Sequence, residues 1–427
     1  MYVSKITLAN IRGFESLDFD LARPDGTYAG WTVFTGDNGS GKSTLLRAIA
    51  LGLAGSDTAR ALQPSLQGWM RKGSAPHEGL IELQIVPRAE DDVFVKSGTT
   101  PKSTFPARLK LENGGRDVRL EPANTHKTPE RSIWAGDASG WFCCGYGPFR
   151  RVFGASPEAA RLMAVPATAR FATVFEEAAT LAEVDQWMRN LKHKEFEGKF
   201  DEARQLELLL EILRDDLMPN EITVDRVDSD GLWLQDRNGV QLSWRDMSDG
   251  YRSALALLAD ILRHLIAAYG MEGLFERGPD GKLRILRSGV VLIDEVDAHL
   301  HPEWQRELGF WFVRHFPNLQ FLVTSHSPLI CQAASPNGLF VLPEPGSGIG
   351  PRALTSEEHA RVIASRPDTI LLSPAFGLQN TRSPLAVEKR SEYSILRAKQ
   401  KAGVRLTEDE TTELRQLELF VKVDEDL

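Results

Sequence analysis

One loop constrains this chain more than any other stretch: Gly36-Asp-Asn38-Gly39-Ser40-Gly41-Lys42-Ser43, which fits the pattern G-x-x-x-x-G-K-[ST]. It lies between an apolar run, Trp31–Thr35, and a helical pattern, Leu45–Leu53. A strand that enters such a loop and leaves as a helix predicts an α/β sheet with a phosphate site beyond the strand's carboxyl end. Backbone N–H groups and the positive helix end close around phosphate oxygens, a lysine reaches the β- and γ-phosphates, and a hydroxyl ligates Mg²⁺. Gly36, Asn38, Gly39, Ser40, Gly41, Lys42, Ser43 and Thr44 are therefore the expected nucleotide contacts, with ATP and Mg²⁺ as cofactors.

Three further motifs follow in order. Val290–Ile293 is four consecutive apolar residues, read as a buried parallel strand, and it ends in Asp294-Glu295. At that end Asp294 is placed to hold the Mg²⁺ shell and Glu295 to polarise the attacking water; two acids there would otherwise cap the next helix. Met247-Ser248-Asp249-Gly250 opens a helical pattern carrying Ala254, Leu257, Leu258, Ile261, Leu262 and Leu265. Taken alone, Ser248 reads as an N-cap. Phe321-Leu-Val-Thr324-Ser325-His326 is a second short apolar strand with a polar end, where His326 stands as a γ-phosphate sensor.

The order of P-loop, Ser-x-Gly, Asp-Glu and His resembles the ABC-type ATPase heads of the RecF, Rad50, SMC and OLD families. The opening Ile6-Thr-Leu-Ala-Asn10-Ile-Arg12-Gly-Phe14 is similar to the first strand and turn of these heads, and Asp294-Glu295-Val-Asp297-Ala-His299-Leu300-His301-Pro302 to their RecF/OLD branch. The resemblance implies a mixed sheet core with an antiparallel β lobe. It also places Asn10 and Arg12 near the nucleotide, and sets Ser248 and Gly250 of one copy against the γ-phosphate held by Lys42 of another. A homodimer with two ATP molecules sandwiched between its subunits follows. Phe142-Cys-Cys-Gly-Tyr146-Gly147-Pro-Phe-Arg150-Arg151 looks like a segment connecting the lobes. Arg150 and Arg151 there read either as phosphate contacts or as a surface charge pair.

With 50 Lys and Arg against 59 Asp and Glu, the net charge of −9 is not the basic field of a strong nucleic-acid binder. DNA or RNA contact would fall to local strips such as Lys192-His-Lys194 and Arg150-Arg151, each of which reads first as a solvated face. Three cysteines, Cys143, Cys144 and Cys331, make neither a disulfide framework nor a metal quartet, so a cytoplasmic setting is expected. No apolar run is of membrane-spanning length and none resembles a secretion signal.

The 427 residues divide into an ATPase lobe with the P-loop (1–150), a helical insertion (151–220), a second lobe with the remaining motifs (221–342), and a linker with a C-terminal helical tail (343–427). Strands are expected over Gly79–Arg88, Ala107–Glu112 and Val118–Glu121, two helices over Leu181–Met218 split near Gly198, and a β-hairpin over Glu221–Trp244. The short helical pair excludes the long arms of Rad50 and SMC proteins. No TOPRIM pattern follows Pro328; after a Pro/Gly-rich stretch, Pro343–Pro351, come two helical patterns, the last opened by the capping box Thr407-Glu-Asp-Glu410. The tail resembles stand-alone ATPases of bacterial antiphage systems such as Septu, which implies a separately encoded nuclease or effector as partner. The competing reading is a RecF-like DNA-clamp ATPase in repair.

Overall fold

Gly289–Ile293 and Leu319–Thr324 are buried at every residue, and Gly30–Gly36 at all but its last, as strands covered on both faces must be. The computed structural model describes residues 1–73, 78–94, 100–114, 117–136, 140–152, 154–344 and 347–422. These three strands form the middle of a six-stranded sheet ordered Arg352–Ala353, Leu339–Leu342, Gly30–Gly36, Leu319–Thr324, Gly289–Ile293, Cys143–Tyr146. All neighbours run parallel except the two-residue edge strand Arg352–Ala353. The loop after Gly36 and the residues after Ile293, Thr324 and Tyr146 consequently leave the sheet at one edge.

A second sheet is wholly antiparallel, in the order Phe14–Asp20, Tyr2–Ile11, Glu78–Val86, Phe105–Asn113, Val118–Pro122. Glu78–Val86 and Phe105–Asn113 alternate buried with partly exposed residues, the pattern of a sheet with one covered face. That face packs Ile81, Leu83, Leu109 and Leu111 into one core with Leu45, Leu46, Ile49 and Leu53 of the helix that follows the P-loop. This is the expected mixed sheet core with an antiparallel lobe.

The P-loop helix, Lys42–Leu62, is longer than its apolar pattern and is kinked at Gly55 (φ 78°, ψ 165°). A Cβ at Gly55 would lie 2.5 Å from the Trp134 indole, whose Nε1 donates to Gly52 O at 2.9 Å. Two helices, Ala182–Phe196 and Phe200–Arg214, flank Gly198 as the pattern predicts. The expected hairpin over 221–244 is present and is part of a three-strand meander, Thr223–Asp228, Gly231–Gln235 and Gln241–Ser243. Its extra turn is made by Asp228, whose Oδ1 accepts from Asp230 N (2.9 Å) and Trp233 Nε1 (2.8 Å), with Gly231 at φ 120°.

Contacts divide the chain into a unit Met1–Pro367 and a unit Asp368–Leu427. Strand Arg352–Ala353 and helix Ser356–Ala364 lie in the first unit, inside the stretch read from sequence as linker and tail; Pro345 and Gly346 of that linker lie outside the described residues. In the second unit, Pro384–Lys401 and Glu408–Lys422 pair around Leu396, Leu414 and Leu417. The predicted capping box is present there: Thr407 N donates to Glu410 Oε2 at 2.9 Å and Glu410 N to Thr407 Oγ1 at 3.1 Å. Among the described residues no helix is long and apolar enough to cross a membrane.

Candidate active site

The P-loop takes its shape from glycines that nothing else replaces. Gly36 (φ 146°) lies where a Cβ would be 2.0 Å from Leu342 O, and Gly41 (φ 98°) where one would be 2.6 Å from the Phe14 ring. Gly41 precedes the first helical residue in the left-handed conformation and supplies no side-chain cap, so no side chain of its own claims the helix's leading N–H groups. Lys42 is buried and donates Nζ to Gly36 O (2.8 Å) and Asp37 O (2.9 Å) across the loop. Burial lowers its pKa, against the opposing pull of Glu295, Asp294, Asp37 and Asp297. Asn38 and Gly39 are exposed at the loop's crest, and Ser40 Oγ is buried without a hydrogen-bond partner. Ser43 is half-buried in the first helical turn.

The two N-terminal candidates part company. Both Asn10 (φ 54°) and Arg12 (φ 46°) occupy left-handed backbone at the end of the first strand. Asn10 Nδ2 turns to the Glu78 carbonyl at 3.1 Å, serving the antiparallel sheet. Arg12 stacks over Trp69 at 4.7 Å and reaches Thr44 Oγ1 at 3.4 Å, which joins it to the P-loop helix.

Thr324 fastens both acids at the neighbouring strand end. Its hydroxyl donates to Asp294 Oδ1 (2.6 Å) and accepts from Glu295 N (2.7 Å). Asp294 is buried, whereas Glu295 is half-buried and sits at φ 45°. Ser325 Oγ donates to Asp297 Oδ1 at 2.6 Å and accepts from Ser327 N at 2.9 Å, fixing the turn that carries His326. Burial and then the Lys42 cation lower the His326 pKa from its ordinary value, against Asp297, Glu295 and Asp37, so the imidazole is neutral at pH 7. The Ser43 hydroxyl and the Asp294 carboxylate are hard oxygen donors of the kind Mg²⁺ takes, and Asp294 engages only Oδ1 with Thr324.

Ser248 precedes the helix Asp249–Tyr269 at the N-cap position, yet its side chain accepts no hydrogen bond from that helix. The simple capping alternative is thus not realised, and Ser248 is exposed. Gly250 is buried, and a Cβ there would come within 2.3 Å of His299 O, so the helix start rests directly on the loop after Glu295. A cavity of about 450 Å³ opens beside it, lined by Phe149, Arg151, Asp249, Arg252, Ser253 and His299 among others.

Arg150 corrects the surface-charge reading, because it is buried; it also lines the cavity beside Gly250. It is 5% exposed and donates Nη1 to Asp294 O (3.0 Å) and Nη2 to Glu295 O (3.1 Å), with Val296 O and Ala298 O at 3.5 and 3.4 Å. Arg151 is exposed against Phe149. The other basic strip is neutralised: Lys192 pairs with Glu195 at 2.7 Å and Lys194 with Glu202 at 3.0 Å. Sequence reasoning also missed Asp260, a carboxylate inside the apolar stripe of the Asp249–Tyr269 helix. It accepts from Tyr146 (3.0 Å) and Arg263 (2.9 Å) and ties that helix to the strand Cys143–Tyr146.

Residues 31–332 match the family model described as "AAA domain, putative AbiEii toxin, Type IV TA system". The Septu protein PtuA of Bacillus mycoides (strain KBAB4) is 25% identical over 396 residues, 90% of this chain but 46% of that protein. The Retron Ec83 probable ATPase of Escherichia coli is 25% identical over 404 residues, 80% of this chain and 71% of that protein. The chain thus spans less than half the length of the first relative. An Smc head domain bound to the C-terminal domain of ScpA, from Pyrococcus furiosus, is 14% identical, with a TM-score of 0.47, over 85% of this chain and 98% of that one. All four motifs fall within the family match, and the chain belongs to this AAA-domain family.

Proposed function

We propose that the chain is an ATP-binding and hydrolysing switch that works as a homodimer in the cytoplasm and gates a separately encoded nuclease or effector in bacterial antiphage defence. The observation that carries the dimeric reading is Ser248: exposed, released from capping its own helix, and set on a helix start that packs against the loop after Glu295. Such a serine is free to meet a γ-phosphate held by a second copy. The Septu and retron names of the relatives support the defence setting.

Lys42 and the P-loop amides bind and orient the phosphates, while Ser43 and Asp294 hold Mg²⁺. Bound Mg²⁺ supplies positive charge against the phosphate oxygens. Glu295, fixed through its amide by Thr324, accepts the proton of the attacking water, and neutral His326 contacts the γ-phosphate.

One observation favours a second reading, a DNA-clamp ATPase in repair. A cleft on the antiparallel lobe is lined by Lys102, His126, Lys127 and Arg131 and, among the described residues, by no carboxylate. Phosphodiester backbone suits that lining, and the defence reading accommodates it as a sensor of foreign nucleic acid.

The mass of Glu295→Gln in solution, measured with and without ATP and Mg²⁺ and with co-purifying proteins retained, tests the proposal. A rise from monomer to dimer with ATP, or a dimer bearing a second polypeptide, supports it. A monomer under all conditions rejects the shared ATP site.

A further inference from the structure

We propose that Arg150 is a positioning residue for hydrolysis: its buried guanidinium holds the main chain that aims Glu295. The inference rests on the reading of Glu295 as the group that activates water.

The strand Cys143–Tyr146 lies beside Gly289–Ile293 in parallel, and the pairing extends to its end, where Asp294 N donates to Tyr146 O at 2.8 Å. Four residues beyond Tyr146 the chain has turned so that Arg150 lies across the end of the neighbouring strand. Its guanidinium then meets four carbonyls from a five-residue stretch: Asp294, Glu295, Val296 and Ala298. Among the described residues no carboxylate forms an ion pair with it, so its hydrogen bonds run to backbone alone. A buried cation satisfied in this way is costly to keep, and the carbonyls it gathers must be held in one arrangement.

The stretch needs such holding. Glu295 (φ 45°), second in the stretch, and His299 (φ 65°), the residue just after it, are both non-glycine residues in left-handed backbone. Conformations of this kind persist only where their surroundings over-determine them, at a cost on the order of 1–3 kcal/mol each. Thr324 fixes the Glu295 amide and Arg150 fixes the Glu295 carbonyl, so the peptide planes on both sides of the Glu295 Cα are pinned. Gly250 closes the far end, since its Cα rests against His299 O. The direction of the Glu295 side chain is therefore set by the segment 147–151 and by the start of the Asp249–Tyr269 helix. Lysine does not substitute, because a single ammonium point replaces a planar fork that reaches several acceptors at once.

Steady-state ATPase kinetics of Arg150→Lys, in wild-type and Glu295→Gln backgrounds, with fluorescent-ATP binding and thermal melts on the same samples, test the assignment. Arg150→Lys is expected to bind nucleotide as wild type does and to lower kcat by roughly 10- to 100-fold, the scale of a displaced catalytic group. KM should stay near its wild-type value. In the Glu295→Gln background the same change should lower the residual rate no further, since the group it positions is already lost. A wild-type kcat in Arg150→Lys, a loss confined to nucleotide affinity, or losses that multiply in the double variant each overturn the assignment. If Arg150→Lys melts below the assay temperature, Arg150→Gln is read by the same criteria, with kcat corrected for the folded fraction. Wild-type protein without any ATPase activity would instead overturn the reading on which the inference stands.

Discussion

Thr324 shows how a residue given no reactive role holds in place two that the proposed mechanism uses. Replacing it by valine leaves the Glu295 N–H without its partner and frees the Asp294 carboxylate, a loss of about 1–3 kcal/mol for an unsatisfied buried donor. Thermal melts of Thr324→Val should fall accordingly, with reduced kcat, and Thr324→Ser should recover both. Glu295→Gln should retain ATP while kcat drops by about 10²- to 10⁴-fold, the usual contribution of a positioned base. Lys42→Ala should lose nucleotide binding itself, measured with a fluorescent ATP analogue. The residues in these last two tests were legible in the sequence because their chemistry is written locally, in a glycine spacing or a strand end. Thr324 and Arg150 were not, since their roles depend on carbonyls and amides brought from distant segments. Asn10 and Arg12 make the same point: two residues apart and both left-handed, they face different partners, and nothing in their spacing says which meets the P-loop helix.

Among the elements, the long apolar helices and the fully buried strands were readable, because periodicity reports burial directly. The elements missed were two- and three-residue strands: the hairpin Phe275–Arg277 with Leu283–Ile285, and the edge strand Arg352–Ala353. So short a strand shows no alternation, and only its neighbours define it. The kink in the P-loop helix was equally hidden, for Gly55 reads as an ordinary weak helical residue until Trp134 is placed against it. Gly55→Ala should lower the melting temperature, because the new Cβ meets both a left-handed backbone and an indole 2.5 Å away. The helix Pro302–His315 is expected to respond to pH. Burial lowers the pKa of His315, and its Nδ1 hydrogen-bonds to Leu283 O at 2.8 Å. The folded state keeps this ring neutral while the unfolded chain takes up a proton below about pH 6.5, so its contribution is full above that pH and is lost as pH falls through the window below it. Melting temperature followed from pH 8 to 5 should decline on the acid side, and His315→Gln should flatten that limb.

At the largest scale, basic charge gathers away from the contiguous strip that the sequence reads first as a solvated face. The contiguous strip at Lys192–Lys194 is cancelled by glutamates, whereas the cleft of Lys102, His126, Lys127 and Arg131 draws on residues more than twenty positions apart. Reversing Lys102, Lys127 and Arg131 to glutamate should abolish binding of a labelled DNA duplex in fluorescence anisotropy at low salt. Single reversals should each flatten the salt dependence of binding by about one unit of log–log slope. Unchanged affinity in the triple variant would clear this cleft of that role. The turn at Gly198 has a different consequence. Phe196 and Phe200 stand 77% and 87% exposed on either side of it, and the two helices there end in a three-residue connection. Matched numbers of turns added to both helices would lengthen this hairpin without altering a strand of either sheet. A lineage of such heads can therefore vary its reach, and an experimenter can graft a reporter, at a seam where growth and catalysis are independently heritable.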